Sequence, residues 1–234
     1  MEGTAMRPDL LVFDVNETLL DLRSLRPAFE AALGSADPMG EWFARMLHGS
    51  LVSNHVRNYR PFDLIGAESL MVVAQRRGID LSPDRAAAVV SGMRRLPAHA
   101  EVPVALDRMA AAGYRLVTLT NGSSDAVADQ LAYAAIADRF EAVLSVDAVG
   151  RFKPAPEVYL HACATLGVEV DRALMVAAHD WDIAGARSVG LQAAFIARPG
   201  VVWGLPDDPP DLVTADLAGL ADLLAPESGG AVTG

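Results

Sequence analysis

Short apolar runs that stop abruptly on polar residues constrain this chain more than any other feature. Leu10-Leu11-Val12-Phe13 stops at Asp14, and Arg115-Leu116-Val117-Thr118-Leu119 stops at Thr120 and Asn121. Ala142-Val143-Leu144 stops at Ser145, and Ala173-Leu174-Met175-Val176 and Ala193-Ala194-Phe195-Ile196 are two further short runs, each followed by alanine before the next polar residue. Runs this short, without alternating polar residues, read as strands buried on both faces of a parallel sheet. Helix signals fill the gaps. The stretch 104–112 precedes Gly113, 124–135 opens on Ser124 and Asp125, 156–166 lies between Pro156 and Gly167, and 182–189 precedes Gly190. The alternation predicts an α/β fold, a Rossmann-like doubly wound parallel sheet with helices on both faces.

Residues 21–98 break the rhythm. They hold no convincing strand, and four helices fit instead: around 25–33, 41–56, 62–77 and 82–95, the last opening on Ser82-Pro83-Asp84. The expected organisation is a discontinuous core, 7–20 and 99–225, with a small all-helical cap, 21–98, inserted after the first strand. The Gly- and Ser-bearing tail, 226–234, is expected to be disordered.

Charge and cysteine usage narrow the function. The 234 residues carry a formal net charge of −11, which repels phosphate backbones and anionic lipid. Neither a nucleic acid nor a membrane is an expected partner. The start lacks an apolar signal core, and no apolar run reaches membrane-spanning length. The single cysteine, Cys163, has no partner for an internal disulfide. Together these features predict a cytoplasmic protein.

In an open parallel sheet, ligands bind beyond the carboxyl ends of the strands. Asp14 lies there after the first strand, and Thr120 and Asn121 after the second. Lys153 follows the third, and His179 to Asp182 follow the fourth. One sheet edge therefore collects a carboxylate, a hydroxyl and amide, an ammonium, and an imidazole with acids.

These segments resemble the haloacid dehalogenase superfamily. Asp14-Val15-Asn16-Glu17-Thr18 resembles its first motif, and Leu119-Thr120-Asn121-Gly122 its second. Phe152-Lys153-Pro154 resembles the third. Ala177-Ala178-His179-Asp180-Trp181-Asp182 is similar to the fourth as found in the L-2-haloacid dehalogenase branch. The resemblance implies that Asp14 displaces halide from a short (S)-2-haloacid, forming an ester that water then hydrolyses, with no cofactor. It implies Lys153 as the cation that keeps Asp14 ionised, Thr18 and Thr120 as hydroxyl donors, and Asp182 as the group that polarises water. Tyr159, Trp181 and Phe62 match pocket aromatics of the branch. The implied partners are haloacid and halide, and a homodimer fits the branch.

Most of the superfamily are magnesium-dependent phosphatases, the alternative reading. They carry an acid two residues after the nucleophile and another four residues before the last acid. Here those positions are Asn16 and Ala178, which supply neither a leaving-group proton nor a hard ligand. Halide leaves without a proton, so the losses suit dehalogenation. Hydrolysis of another C–X bond in a small 2-substituted carboxylate is the other alternative. The chain also departs from the branch. Asn16 replaces a tyrosine, Ala177 and His179 replace serine and asparagine, and Phe43 stands where a halide-binding arginine follows Trp42. Arg45, Arg57 or Arg60 then reaches the halide from elsewhere, or Asn121 and His179 bind it.

Overall fold

The structure, a computed structural model, describes residues 7–205 and 209–226. Residues 227–234 of the expected disordered tail lie outside the described residues. Six parallel strands form one sheet: β1 (Leu10–Phe13), β2 (Arg115–Thr120), β3 (Ala142–Ser145), β4 (Ala173–Ala177), β5 (Gln192–Ile196) and β6 (Leu212–Thr214). Their spatial order is β3-β2-β1-β4-β5-β6. Successive strands run outward from β1 to one side, and then from β4 to the other. The strand order therefore reverses beside β1, which opens a crevice at its carboxyl end.

Burial explains why the central strands are legible in the sequence. All four residues of β1 have zero exposure, and β4 is buried throughout. At the edges, Val143 of β3 and Val213 of β6 are exposed. The sixth strand has no counterpart among the apolar runs. Its three residues are at best half-buried, so they need no such run. After it, α9 (Leu217–Leu223) is capped by Asp216, whose carboxylate accepts from Gly219 N at 2.8 Å.

The core helices are α5 (Val102–Ala111), α6 (Ser124–Tyr133), α7 (Pro156–Leu166) and α8 (Asp180–Ser188). Helix α8 begins two residues before the expected start, which brings Asp180 and Trp181 into its first turn. The insert after β1 is helical: α1 (Arg26–Leu33), α2 (Met39–His55), α3 (Phe62–Arg76) and α4 (Pro83–Ser91). Ser82 caps α4 with Pro83 behind it, as its sequence implies. Trp42 donates from Nε1 to Gly66 O at 2.9 Å, which ties α2 to α3.

Two contacts clamp this cap over the sheet edge. Asn54, near the end of α2, accepts from Phe152 N at 2.8 Å and donates to Phe152 O at 2.7 Å. Tyr59 donates to Asp147 at 2.5 Å. The first clamp grips the residue immediately before Lys153.

Candidate active site

The nucleophile candidate sits at the end of the central strand. Asp14 N donates to Val176 O at 3.0 Å, which continues the sheet pairing to the carboxylate itself. The chain then turns sharply. Leu19 N and Leu20 N both donate to Val15 O, and Glu17 N donates to Leu20 O. Thr18 therefore caps no helix here. Its hydroxyl donates to Asp14 Oδ2 at 2.8 Å and accepts from Ala178 N at 2.9 Å, which links the first motif to the fourth.

Lys153 is the electrostatic centre. It is fully buried, and its Nζ donates to Asp14 Oδ1 at 2.8 Å, Asp182 Oδ2 at 2.7 Å and Leu119 O at 2.8 Å. A buried ammonium is tolerated only when its three donors are met, and here they are. Burial alone would raise the Asp14 pKa, but Lys153 and His179 together hold it well below the usual carboxylate range. Burial opposes the charge on Lys153 too, and Asp14 and Asp182 outweigh it and raise its pKa. Burial and the Asp14 charge push Asp182 upward against the pull of Lys153.

Asp182 lies behind this lysine. It has zero exposure, its Oδ2 is taken by Lys153, and its Oδ1 accepts from Tyr159 Oη at 2.6 Å. That geometry makes it an anchor for Lys153 rather than a carboxylate facing a water. Tyr159 is also buried, and it donates its hydroxyl inward rather than lining an open pocket. Gly185 of α8 permits this: a Cβ there would lie 2.5 Å from both Tyr159 Oη and Pro154 Cβ.

His179 faces the other oxygen of the nucleophile. Its Nδ1 is 3.2 Å from Asp14 Oδ2, and its Nε2 is 2.9 Å from Glu17 Oε2. Carboxylates on both nitrogens favour donation from both, the pattern of an imidazolium. Burial opposes that charge, and the two carboxylates outweigh it and push the pKa up to about 10. Trp181 stacks on the ring at 5.0 Å between centroids, and Phe43 lies 5.9 Å from it.

The other expected residues divide. Asn121 accepts from Lys153 N at 2.8 Å, and its buried Nδ2 has no protein partner. Thr120 does not reach Asp14. Its Oγ1 accepts from Gly122 N at 3.1 Å and shapes the turn after β2. Asn16 accepts from Gln130 Nε2 at 2.9 Å and lines a cavity of about 190 Å³. Phe62, Met46, Val90 and Met93 give this cavity an apolar wall. Phe62 also packs on Phe152.

Arg45 is not at this site. It lines a separate cleft of the cap with His48, Arg60 and Glu68. Arg60 is paired to Glu68, and Arg57 is exposed. Among the described residues, the basic group beside Asp14 apart from Lys153 is thus His179. Sequence reasoning missed Glu17 and Gln130. Glu17 lies within the first motif, but nothing in the letters shows its left-handed backbone, φ 63°, which sets its side chain toward His179. The described residues contain no group of three or more His, Cys, Asp or Glu arranged to hold a metal. Lys153 already fills the space between the two carboxylates, so these residues do not fit a hard cation.

An ionised aspartate at the crevice of a parallel sheet, backed by a buried lysine, defines a protein equipped for attack by a carboxylate. The sequence profile of the haloacid dehalogenase-like hydrolases matches residues 8–190. An (S)-2-haloacid dehalogenase of Pseudomonas sp. (strain YL) is 27% identical over 226 residues, covering 96% of this chain and 97% of its own. Haloacetate dehalogenase H-2 of Moraxella sp. (strain B) is 26% identical, covering 93% and 98%. The L-2-haloacid dehalogenase of Xanthobacter autotrophicus with chloropropionic acid covalently bound superposes with a TM-score of 0.86 at 25% identity, covering 93% and 98%. This chain belongs to the haloacid dehalogenase-like hydrolase family. No helix among the described residues is long and apolar enough to cross a membrane.

Proposed function

We propose that this hydrolase cleaves the carbon–halogen bond of short (S)-2-haloalkanoic acids, giving 2-hydroxy acids through an ester on Asp14. One observation carries the reading: Asp14 is held ionised by Lys153, with Thr18 and His179 fixing its other oxygen. A carboxylate so held is a nucleophile rather than a proton donor. It attacks the halogen-bearing carbon, the C–X bond breaks, and halide departs with the bonding electrons. Asn121 Nδ2 and the His179 imidazolium are the donors offered to the departing anion. The substrate's alkyl chain enters the apolar cavity beside Asn16 and Phe62. Water then attacks the ester carbonyl of Asp14, the carbon–oxygen bond to that carbonyl breaks, and the hydroxy acid leaves. The names of the relatives support the substrate class. The run of helices α1 to α4 between β1 and β2 supports a division into a core, 7–20 and 99–225, and a cap, 21–98.

The test is halide release by EDTA-treated protein from each enantiomer of 2-chloropropionate, with p-nitrophenyl phosphate and Mg²⁺ in parallel. Halide without metal, mainly from the S enantiomer, is the expected result. Phosphate release alone would overturn the reading.

A further inference from the structure

We propose that His179, positioned by Glu17, is the acid–base residue for hydrolysis of the Asp14 ester, in place of Asp182. The inference rests on the ester route above and goes beyond it by assigning the second step.

Three observations carry it. First, Asp182 is wholly enclosed, and each of its oxygens already accepts a hydrogen bond, from Lys153 and from Tyr159. Second, His179 touches the reacting group itself, at Asp14 Oδ2, on the side away from Lys153. Third, Glu17 sits on the far nitrogen of His179, on a turn whose backbone is fixed. Its φ of 63° lies in the left-handed region, uncommon for glutamate, and its carbonyl is fixed by His99 Nε2 at 3.1 Å. Arg198 braces the same turn, donating to Thr18 O at 2.7 Å. The side chain of Glu17 is about one-third exposed, so the pair has a route to solvent.

The charges facing His179 are Asp14 and Glu17, with Lys153 across Asp14. The neutral rings of Phe43 from α2 and Trp181 from α8 cover its faces. When Asp14 becomes an ester, one of the two carboxylates that hold the proton is lost. His179 then gives its proton to solvent beside Glu17, and this is the net proton that hydrolysis releases. Neutral His179, still oriented by Glu17, takes a proton from water as the oxygen bonds to the ester carbonyl carbon. The imidazolium formed protonates the departing alkoxide. The regenerated carboxylic acid of Asp14 returns a proton to His179, restoring the resting ion pair. Serine and asparagine at positions 177 and 179 would offer hydrogen bonds to a water; Ala177 and His179 replace them with one residue that moves its proton.

The experiment is a single-turnover quench with (S)-2-chloropropionate, following halide, hydroxy acid and protein mass together. In His179→Asn and His179→Gln, one equivalent of halide per site should still appear, more slowly because one halide donor is lost, followed by ester that persists because deacylation is slowed further, by ~100-fold or more. Glu17→Gln should slow turnover less, and should move the acidic limb of its kcat–pH profile to lower pH, because the imidazolium of His179 then lacks a carboxylate that stabilises it. A purely structural glutamate would leave that limb in place. Halide and hydroxy acid slowed together with no ester accumulating, or unimpaired turnover in both histidine variants, would overturn the proposal. If the histidine variants do not give a cooperative melting transition, the Glu17→Gln limb decides. Wild-type protein that releases no halide and gains no mass would instead overturn the dehalogenase reading beneath.

Discussion

Asp14, Lys153 and His179 show how a few buried charges reconcile stability with reactivity. Each charge opposes its own burial, and each is met by a partner of opposite sign within about 3 Å. Asp14→Asn keeps the shape but removes the nucleophile, so turnover should fall by at least ~1,000-fold in a halide assay. Lys153→Met leaves two buried carboxylates facing each other and should cost about 3–5 kcal/mol in denaturant unfolding. His179 makes a pH prediction. Its folded value of about 10 lies above the ordinary 6.5, so its contribution to stability is complete below about pH 6.5. It is lost as pH rises through about 10. Tm should therefore fall over that window in the wild type, and His179→Asn should flatten the fall. The motif letters suffice to gather Asp14, Thr18, Lys153 and Asp182 at one sheet edge. The partners of these residues are not legible there, because hydrogen bonds such as Tyr159 to Asp182 depend on how α7 and α8 pack. Arg45 lies elsewhere for a reason helix geometry supplies: a two-residue offset from Phe43 along α2 places it in another cleft.

Among the elements, α8 does most to position the site. It presents Trp181 and Asp182 from its first turn, and Gly185 on its next turn lets Tyr159 approach. Gly185→Ala would drive a methyl into Tyr159 and Pro154. It should cost about 1–3 kcal/mol of stability and lower kcat by displacing Lys153, both measurable on purified protein. The strands β1, β2, β4 and β5 are legible because they are buried on both faces, which forces an unbroken apolar run. Strand β6 is not, since an edge strand of three half-exposed residues needs no such run. Helix α9 does carry a signal, Asp216 followed by Leu217 and Leu220 at helical spacing.

At the scale of the whole molecule, the cap lies over the crevice, held by polar contacts at Asn54 and Tyr59 and by ring packing of Tyr59 and Phe62 on Phe152. Asn54 grips both backbone groups of Phe152, next to Lys153, so cap position and lysine position are coupled. Asn54→Ala should remove about 1–3 kcal/mol of clamp. The expected kinetic signature is a raised KM for 2-chloropropionate with a smaller change in kcat. The α/β core with a helical insert after its first strand is legible from the alternation of elements alone. How the cap meets the core is not, since Asn54 and Tyr59 carry no local pattern. The central claim is that Asp14 forms a covalent ester and that water attacks the enzyme's own carbonyl. A single turnover of (S)-2-chloropropionate in heavy-oxygen water, with enzyme in excess, tests it most directly. The account predicts heavy oxygen in the peptide containing Asp14 and light oxygen in the hydroxy acid; heavy oxygen in the hydroxy acid and none in Asp14 would contradict it.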